Sequence, residues 1–369
     1  MVTLANAFAA RGYRVDLVVA RSGGEFADRV SDEVQIVGLD PWWLGAGLQR
    51  VGKGPAVIAS APALATWLRR ERPDVLLSSS NPANLTALIA RRMAGSDTPV
   101  AISVNVQASS AATRAGRHPL LAKLMRRLYP EADSIVAISQ GVADDLASFA
   151  SLAPSRIETI HNPVDAARIA ELGAEPHSDP WLVEGAVPLV LAVGKLKRQK
   201  DFATLLRAFA KLRARRPVRL VILGRGPEHG ALRRLASELG VAGDVRLPGF
   251  ARNPAAWMAR ASVFAVSSAW EGFSNVLVEA LACGTPVVST DCPSGPAEIL
   301  QDGALGPLIP VGDANAMAKA LELVLDTPPD PAALRARAAC FSVDHAAERY
   351  LAVLESARLA RSAQRSIRA

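Results

Sequence analysis

"VPLVLAVGKLKRQKDFATLLRAFAKLRARRPVRLVILG", residues 187–224, opens and closes on short apolar runs with a helical pattern between them. The outer runs, "VPLVLAVG" and "VRLVILG", are near-continuous apolar stretches of strand length, which suits strands buried on both faces. "FATLLRAFAKLRARRP" repeats apolar residues at three- and four-residue spacing and stops at a proline, as an amphipathic helix does. Strand, helix and strand in that order imply a parallel pair joined by a crossover. The alternation extends both ways. "YRVDLVVA", "DVLLSSS", "PVAISVN" and "SIVAIS" read as strands in the first half, and "SVFAVSS" and "TPVVSTD" continue the second. Helical patterns such as "LATWLRRERP" and "HGALRRLASELG" lie between them. The fold class is therefore α/β, with two Rossmann-like halves. At 369 residues, two domains of ordinary size are expected. "HNPVDAARIAELGAEPHSDPWLVEGA", residues 161–186, is rich in turn residues without a strong period and is the expected boundary region. It divides the chain into 1–172 and 173–343, with a terminal helix over 344–369 that has the option of packing back on the first part.

Composition narrows the function. Half the residues are apolar and about a fifth charged, as in ordinary globular proteins. The longest apolar run, "PAVIASAPALATWL", is too short to span a bilayer and contains Pro62. There is no charged start followed by an apolar core and cleavage site, so no secretory signal is read. Cys283, Cys292 and Cys340 lack CxxC spacing, which suits free thiols in a reducing cytoplasm rather than a zinc site or disulfide framework. The net charge is +7. Residues 1–180 balance 18 basic against 18 acidic side chains, whereas 195–234 hold 13 basic and 2 acidic. Such a cationic stretch suits a polyanionic ligand or anionic surface. Nucleic acid is not the expected partner, because no helix-turn-helix or RNA-binding signature accompanies the basic residues.

The chemistry-bearing stretches lie in the second half. In "EGFSNVLVE", residues 271–279, Ser274 is placed to cap a helix that Gly284 stops before Pro286. Backbone amides at that helix start are a ready anion site. Glu279, one turn in, would reach a ribose beside the anion, and Glu271, just ahead, would accept hydrogen bonds from a sugar ring. Taken alone, the two glutamates read more readily as surface positions. "LAVGKLKRQKDF", residues 191–202, runs off a strand into Lys195, Lys197, Arg198 and Lys200. Lysines there can neutralise a diphosphate leaving group; Lys197 and Arg198 read as solvated charge. "LGRGPE", residues 223–228, lacks the full GxGxxG and by itself reads as a tight turn.

In order and spacing, "GKLKRQKDF", "LGRGPE", "LPGF", "EGFSNVLVE" and "GTPVVSTDCPSGPAEIL" resemble the family 4 retaining glycosyltransferases (glycosyl transferases group 1) of the GT-B fold. The resemblance covers about residues 135–345 well and the first 130 in outline. It implies two Rossmann-like domains facing a cleft, an acceptor-side domain first and a nucleotide-sugar donor domain second. It also implies that Lys195 and Lys200 bind the donor diphosphate and that Glu271 holds the donor sugar's hydroxyls; these three are the expected catalytic set. The backbone of Phe273, Ser274, Asn275 and Val276 would hold the phosphates, Glu279 the ribose, and the turn at Phe250 would lie near the base. Both lysines are expected to serve phosphate charge rather than folding.

Several positions depart from the family pattern. Lys195 stands where arginine is commoner, giving a point charge instead of a bidentate fork, and Asp201 follows the second lysine where glycine is frequent. Where the family commonly has a histidine after an acceptor-domain strand, "AISVNVQASS" offers Asn105 and Gln107. Asn105 and Ser139, the latter in "ISQGVADDL", are the acceptor-side candidates; Ser139 and Asn162 in "HNPVD" read equally well as structural turn residues. His118 reads as a surface residue. No D-x-D occurs and no histidines have ligand spacing, so no metal is expected.

The resulting expectation is a cytoplasmic, metal-independent hexosyltransferase with a UDP- or GDP-linked sugar as co-substrate and no other cofactor. Its acceptor is expected to be a glycan, a lipid-linked species or a cell-surface polysaccharide. An anionic membrane surface is an alternative partner to bulk solvent, because Asp97–Glu131 encloses five basic and no acidic residues, and "LLAKLMRRLY" alternates apolar and basic residues as an interfacial helix does. Two rivals remain at this point: a nucleotide-sugar epimerase on the same fold, and a non-catalytic relative. "MVTLANAFAARGYRVDLVV" opens inside a helix, where a Rossmann-like half opens with a strand and a glycine turn. The first domain is thus expected to lack its first strand, with Met1 an internal start and roughly ten to thirty residues upstream.

Overall fold

A computed structural model describes residues 1–22, 27–40, 53–109, 119–182 and 187–368. The chain forms two units, Met1–Pro163 with Val343–Ala369, and Val164–Ser342.

The second unit holds a six-stranded parallel sheet in the order β12-β11-β10-β7-β8-β9. The strands are β7 (Leu189–Val193), β8 (Arg219–Leu223), β9 (Val245–Gly249), β10 (Val263–Val266), β11 (Val287–Thr290) and β12 (Leu308–Ile309). The quoted stretch 187–224 is β7, the helix Phe202–Arg213 and β8. That helix buries Phe202, Leu205, Leu206, Phe209 and Leu212 against Val190, Leu220 and Ile222. From β7 the chain steps outward to β8 and β9, then returns to the other side of β7 with β10. The strand order therefore reverses between β7 and β10, and in open parallel sheets the crevice at the strand ends of such a switch point is where ligands bind.

The boundary falls at residue 163, earlier than 172. The stretch 166–174 is a helix, not a periodless turn, and Asp165 caps it by accepting from the Arg168 amide at 2.9 Å. It belongs with the second unit because Asn253 donates to Leu172 O (2.8 Å) and Arg260 to Gly173 O (3.0 Å), while Gly173 lies directly on Ala259. Ala166, Ile169 and Leu172 are half-buried at helical spacing and Gly173 is fully buried, a short stripe that the turn residues on either side obscure in the sequence. Further on, the guanidinium groups of Arg219 and Arg246 lie 4.8 and 3.9 Å from the Trp181 ring, which fixes this connection to the β8–β9 edge.

The first unit has two parallel sheets: β1 (Val15–Val19) with β2 (Val34–Gly38), and β3 (Leu76–Ser79), β4 (Val100–Val104), β5 (Ser134–Ala137) and β6 (Ile157–Thr159) in sequential order. Among the described residues no strand joins them. β1 is half-buried along its whole length, while β4 is buried throughout. The Asp16 Oδ1 atom on β1 is buried without a hydrogen-bond partner. The helix Ala61–Glu71 covers both sheets, packing on Val18 and Val37 of one and Leu76 of the other. The terminal helix Val343–Arg368 belongs to this unit: Ala346, Ala347, Tyr350 and Leu354 share a core with Leu4, Phe8, Ala101, Val136 and Ile160.

Tyr350 is buried and its hydroxyl lies 3.1 Å from Ser103 Oγ. Tyr350→Ala should destabilise the protein by about 3–5 kcal/mol through the cavity, and Tyr350→Phe by about 1 kcal/mol through the lost hydrogen bond. Urea melts of both variants check this; equal midpoints for the parent and Tyr350→Ala would mean that the terminal helix is not part of this core.

Candidate donor site at the strand ends of the second unit

Four loops leave the carboxyl ends of β7, β8, β10 and β11, and the helix Asn275–Ala282 starts among them. The loop after β7 carries Lys195 and Lys200. Gly194 makes room for the second lysine: a Cβ there would stand 3.1 Å from Lys200 Cε, so the aliphatic stem lies across the glycine. The "LGRGPE" turn is more than a tight turn. Gly224 has φ of +139°, and a Cβ on it would lie 1.9 Å from Gly194 O, so only glycine allows the β8 loop to back the lysine loop so closely. Backbone hydrogen bonds fasten the two loops, Gly194 N donating to Leu223 O and Leu196 N to Arg225 O.

Glu271 is 7% exposed, which rules out the surface alternative. Its Oε1 accepts from Lys200 Nζ at 2.5 Å and from Ser268 Oγ at 2.7 Å, and its Oε2 from Gln199 Nε2 at 3.3 Å. Gln199 also donates to Trp270 O at 2.8 Å. The carboxylate is thus tied to the β7 loop by an ion pair and to its own loop by a hydroxyl. Cys292 shares this neighbourhood, and its thiol is pushed up to about 12 by burial first and Glu271's charge second.

Glu279 is half-buried on the first turns of the helix, and burial raises its carboxyl above the ordinary value, with Lys200 opposing. Among the described residues no protein group hydrogen-bonds its carboxylate. Lys195 is exposed. Lys197, read from sequence as plain solvated charge, has its ammonium pKa lowered by partial desolvation and then by Lys200 and Lys195, with Glu271 opposing. Phe273 is buried and meets Phe341 edge-on at 5.4 Å, so its contribution to any ligand is its backbone. Ser274 is buried, whereas Asn275 is exposed and Val276 half-buried at the helix start. Phe250 is 65% exposed just beyond β9, where Gly249 O accepts from Gly224 N at 2.7 Å.

The sequence reading missed Gln199 and Ser268, the two neutral groups that hold Glu271. The buried polar residues at the ends of β3 and β4 were also missed. There Ser78 donates to Asn84, Asn84 to Ser103 O, and Asn105 Nδ2 to Ser79 Oγ at 2.9 Å. Asn105 is therefore positioned by a polar network. Ser139 is fully buried and caps the helix Gln140–Ala150 by accepting from the Val142 amide. His118 lies outside the described residues.

Comparison with known proteins places the chain. Residues 1–168 match the profile described as Glycosyltransferase Family 4, and residues 187–327 that of Glycosyl transferases group 1. The LpsE lipopolysaccharide core biosynthesis glycosyltransferase of Rhizobium meliloti is 30% identical over 257 residues, 70% of this chain and 67% of that one. The chain belongs to this glycosyltransferase family. Another relative is 37% identical over 247 residues, 67% of this chain and 65% of its own length. It is the N-acetylgalactosamine-N,N'-diacetylbacillosaminyl-diphospho-undecaprenol 4-alpha-N-acetylgalactosaminyltransferase of Campylobacter jejuni. Among solved structures, a Rickettsia africae glycosyltransferase superposes with a TM-score of 0.75 at 14% identity, over 96% of this chain and 93% of that one. HepE of Anabaena in complex with UDP-glucose gives 0.75 at 19%, over 96% and 94%. The fold is GT-B, with two Rossmann-like domains.

The ion pair alters one expectation. Lys200 and Glu271 side chains are 15% and 8% exposed, so removing the lysine leaves a buried carboxylate facing only neutral donors. Lys200→Met should destabilise the protein by about 3–5 kcal/mol, whereas Lys195→Ala, at an exposed position, should change stability by less than about 0.5 kcal/mol. Chemical denaturation of both variants checks this contrast. Glu279 gives a pH prediction. Its raised pKa means that the folded chain holds the proton more tightly than the unfolded one. Its contribution to stability is therefore fully present below the ordinary value of 4.5 and is lost as pH rises through the folded value. Glu279→Gln should melt at or above the parent's temperature at neutral pH, with the difference closing towards pH 4.5. A variant less stable than the parent at pH 7 would contradict the burial argument.

Proposed function

We propose that this glycosyltransferase is retaining and metal-independent, and that it moves a hexose from a UDP- or GDP-sugar to a lipid-linked or polysaccharide glycan. The observation that carries the reading is the buried Glu271 carboxylate, paired with Lys200 at the switch point of the second unit's sheet. A carboxylate fixed there accepts hydroxyl hydrogen bonds from a sugar. The adjoining ammonium groups and helix N-terminus favour the diphosphate that the sugar leaves behind. The Glu279 carboxylate, which makes no protein hydrogen bond among the described residues, takes the ribose hydroxyls, and the turn at Phe250 borders the base.

Retention follows if the acceptor oxygen bonds to the anomeric carbon on the face from which the diphosphate departs. The carbon–phosphate-oxygen bond breaks, the acceptor's proton passes to the departing phosphate oxygen, and Lys195 and Lys200 neutralise the charge developing there. No enzyme nucleophile is required. Asn105, held by Ser79 and Ser103, is the acceptor-side candidate. The lipid-linked acceptor class is supported by the Campylobacter relative, whose name specifies a diphospho-undecaprenol acceptor and an α linkage. UDP as nucleotide is supported by the HepE complex.

We also infer a peripheral position at the inner face of the cell membrane. No described helix is long and apolar enough to cross a membrane. The helix Pro119–Leu128 exposes Leu120 (66%), Lys123, Arg126 and Arg127 while burying Met125 and Leu128. Arg126 is partly committed inward, stacked 4.7 Å from the Phe149 ring, which leaves Lys123 and Arg127 as the charges facing outward with Leu120.

Glu271→Ala should lower turnover by a few orders of magnitude, and Glu279→Ala should weaken donor binding by about 1–3 kcal/mol. Sugar transfer should persist in EDTA. Full activity in both variants, or its complete loss on chelation, would overturn the donor-site reading. Flotation with vesicles should be stronger for anionic than for neutral lipid, and Leu120→Asp should reduce it; equal or absent flotation would remove the membrane reading.

A further inference from the structure

Ser274 sits at the N-cap of Asn275–Ala282, the position where a serine hydroxyl ordinarily accepts from an amide of the first turn. Here it does not: its side chain makes no cap hydrogen bond. The residue is 1% exposed, and its Oγ is buried with no partner. One other serine shares this condition among the described residues, Ser294, in the loop after β11. Ser294 also has φ of +72°, a left-handed conformation that strains any side-chain-bearing residue by about 1 kcal/mol or more. The two serines belong to turns in contact. A Cβ on Gly295 would lie 3.1 Å from Phe273 Cα and 3.4 Å from Ser274 N, and Glu271 N approaches Pro293 O at 3.5 Å.

Two buried hydroxyls left unsatisfied in adjoining turns, one of them on a strained backbone, are unfavourable to the fold unless something else takes their hydrogen bonds. The surroundings indicate what that is. The helix N-terminus carries partial positive charge, and Lys200 reaches Glu271 in the adjoining loop. An oxygen with lone pairs and negative charge fits such a setting. We propose that Ser274 and Ser294 together donate hydrogen bonds to the diphosphate of the sugar donor, so that the Ser294–Gly295 turn forms a second wall of the phosphate site. This rests on the donor reading above and adds to it a residue, Ser294, that neither glutamate nor lysine chemistry implies. Gly295 is what allows the two turns to approach so closely.

Calorimetric titration of the full chain with UDP, GDP, UMP and GMP tests this, using Ser294→Ala and Ser294→Gly. Alanine removes the hydroxyl and keeps the strain; glycine removes both. Each variant should bind the preferred diphosphate about ten- to hundred-fold more weakly than the parent, as expected for a lost hydrogen bond to a charged group. Monophosphate binding should change less than threefold. Ser294→Gly should also melt at a higher temperature than Ser294→Ala. If both variants bind diphosphate as tightly as the parent while Glu279→Ala binds it weakly, the serine proposal fails and the donor site stands. An equal loss for mono- and diphosphates would likewise overturn it. Failure of the parent to bind either diphosphate would overturn the donor reading and this proposal together.

Discussion

The ion pair between Lys200 and Glu271 is the contact that holds the second unit's candidate donor site together. It links the loop after β7 to the loop after β10, the two adjacent strands between which the chain reverses its direction of travel across the sheet. A parallel sheet leaves a crevice at such a point, and burying both charges there fixes the loops at the crevice mouth. Removing charges from water is unfavourable, so the pair is retained with neutral help: Ser268 and Gln199 also donate to the carboxylate, and with Lys200 they use three of its roughly four acceptor sites. Glycines at 194 and 224 let the supporting loops close behind it.

The cationic stretch that stands out in the sequence divides once its contacts are known. Much of it is structural. Arg213 pairs with Asp244, Arg215 with Glu322 and Arg216 with Asp326, and Arg219 stacks on Trp181. The lysines at 195, 197 and 200 are the ones whose charges meet at the loop after β7, as the lowered ammonium of Lys197 records. A count of charges along the chain therefore overstates the field available to a ligand, because these arginines, 18 to 24 positions past Lys195, are committed to Asp244, Glu322, Asp326 and Trp181.

Every central strand was legible in the sequence, and so were two edge strands, β1 and β3. All eight strands read from apolar runs are present, and the four not read, β2, β6, β9 and β12, are each at a sheet edge. Edge strands bury less, so "VQIVG", "IET" and "VRLPG" mix polar and apolar residues and give no continuous run. Of the candidate site, Glu271, Glu279 and the lysines were singled out in the sequence, and the structure brings Lys200 onto Glu271. Lys200's part in folding was not legible, because the partner lies 71 residues away. Ser294 was hidden for a different reason: a strained dihedral angle and an unsatisfied hydroxyl leave no mark on residue type.

The most direct measurement is a crystal structure of the full chain with an intact UDP- or GDP-sugar. The account predicts that the diphosphate lies at the N-terminus of Asn275–Ala282 within hydrogen-bonding distance of Lys195 or Lys200, with a sugar hydroxyl on Glu271 and the ribose on Glu279. A diphosphate bound elsewhere, or a sugar that makes no contact with Glu271, would contradict it.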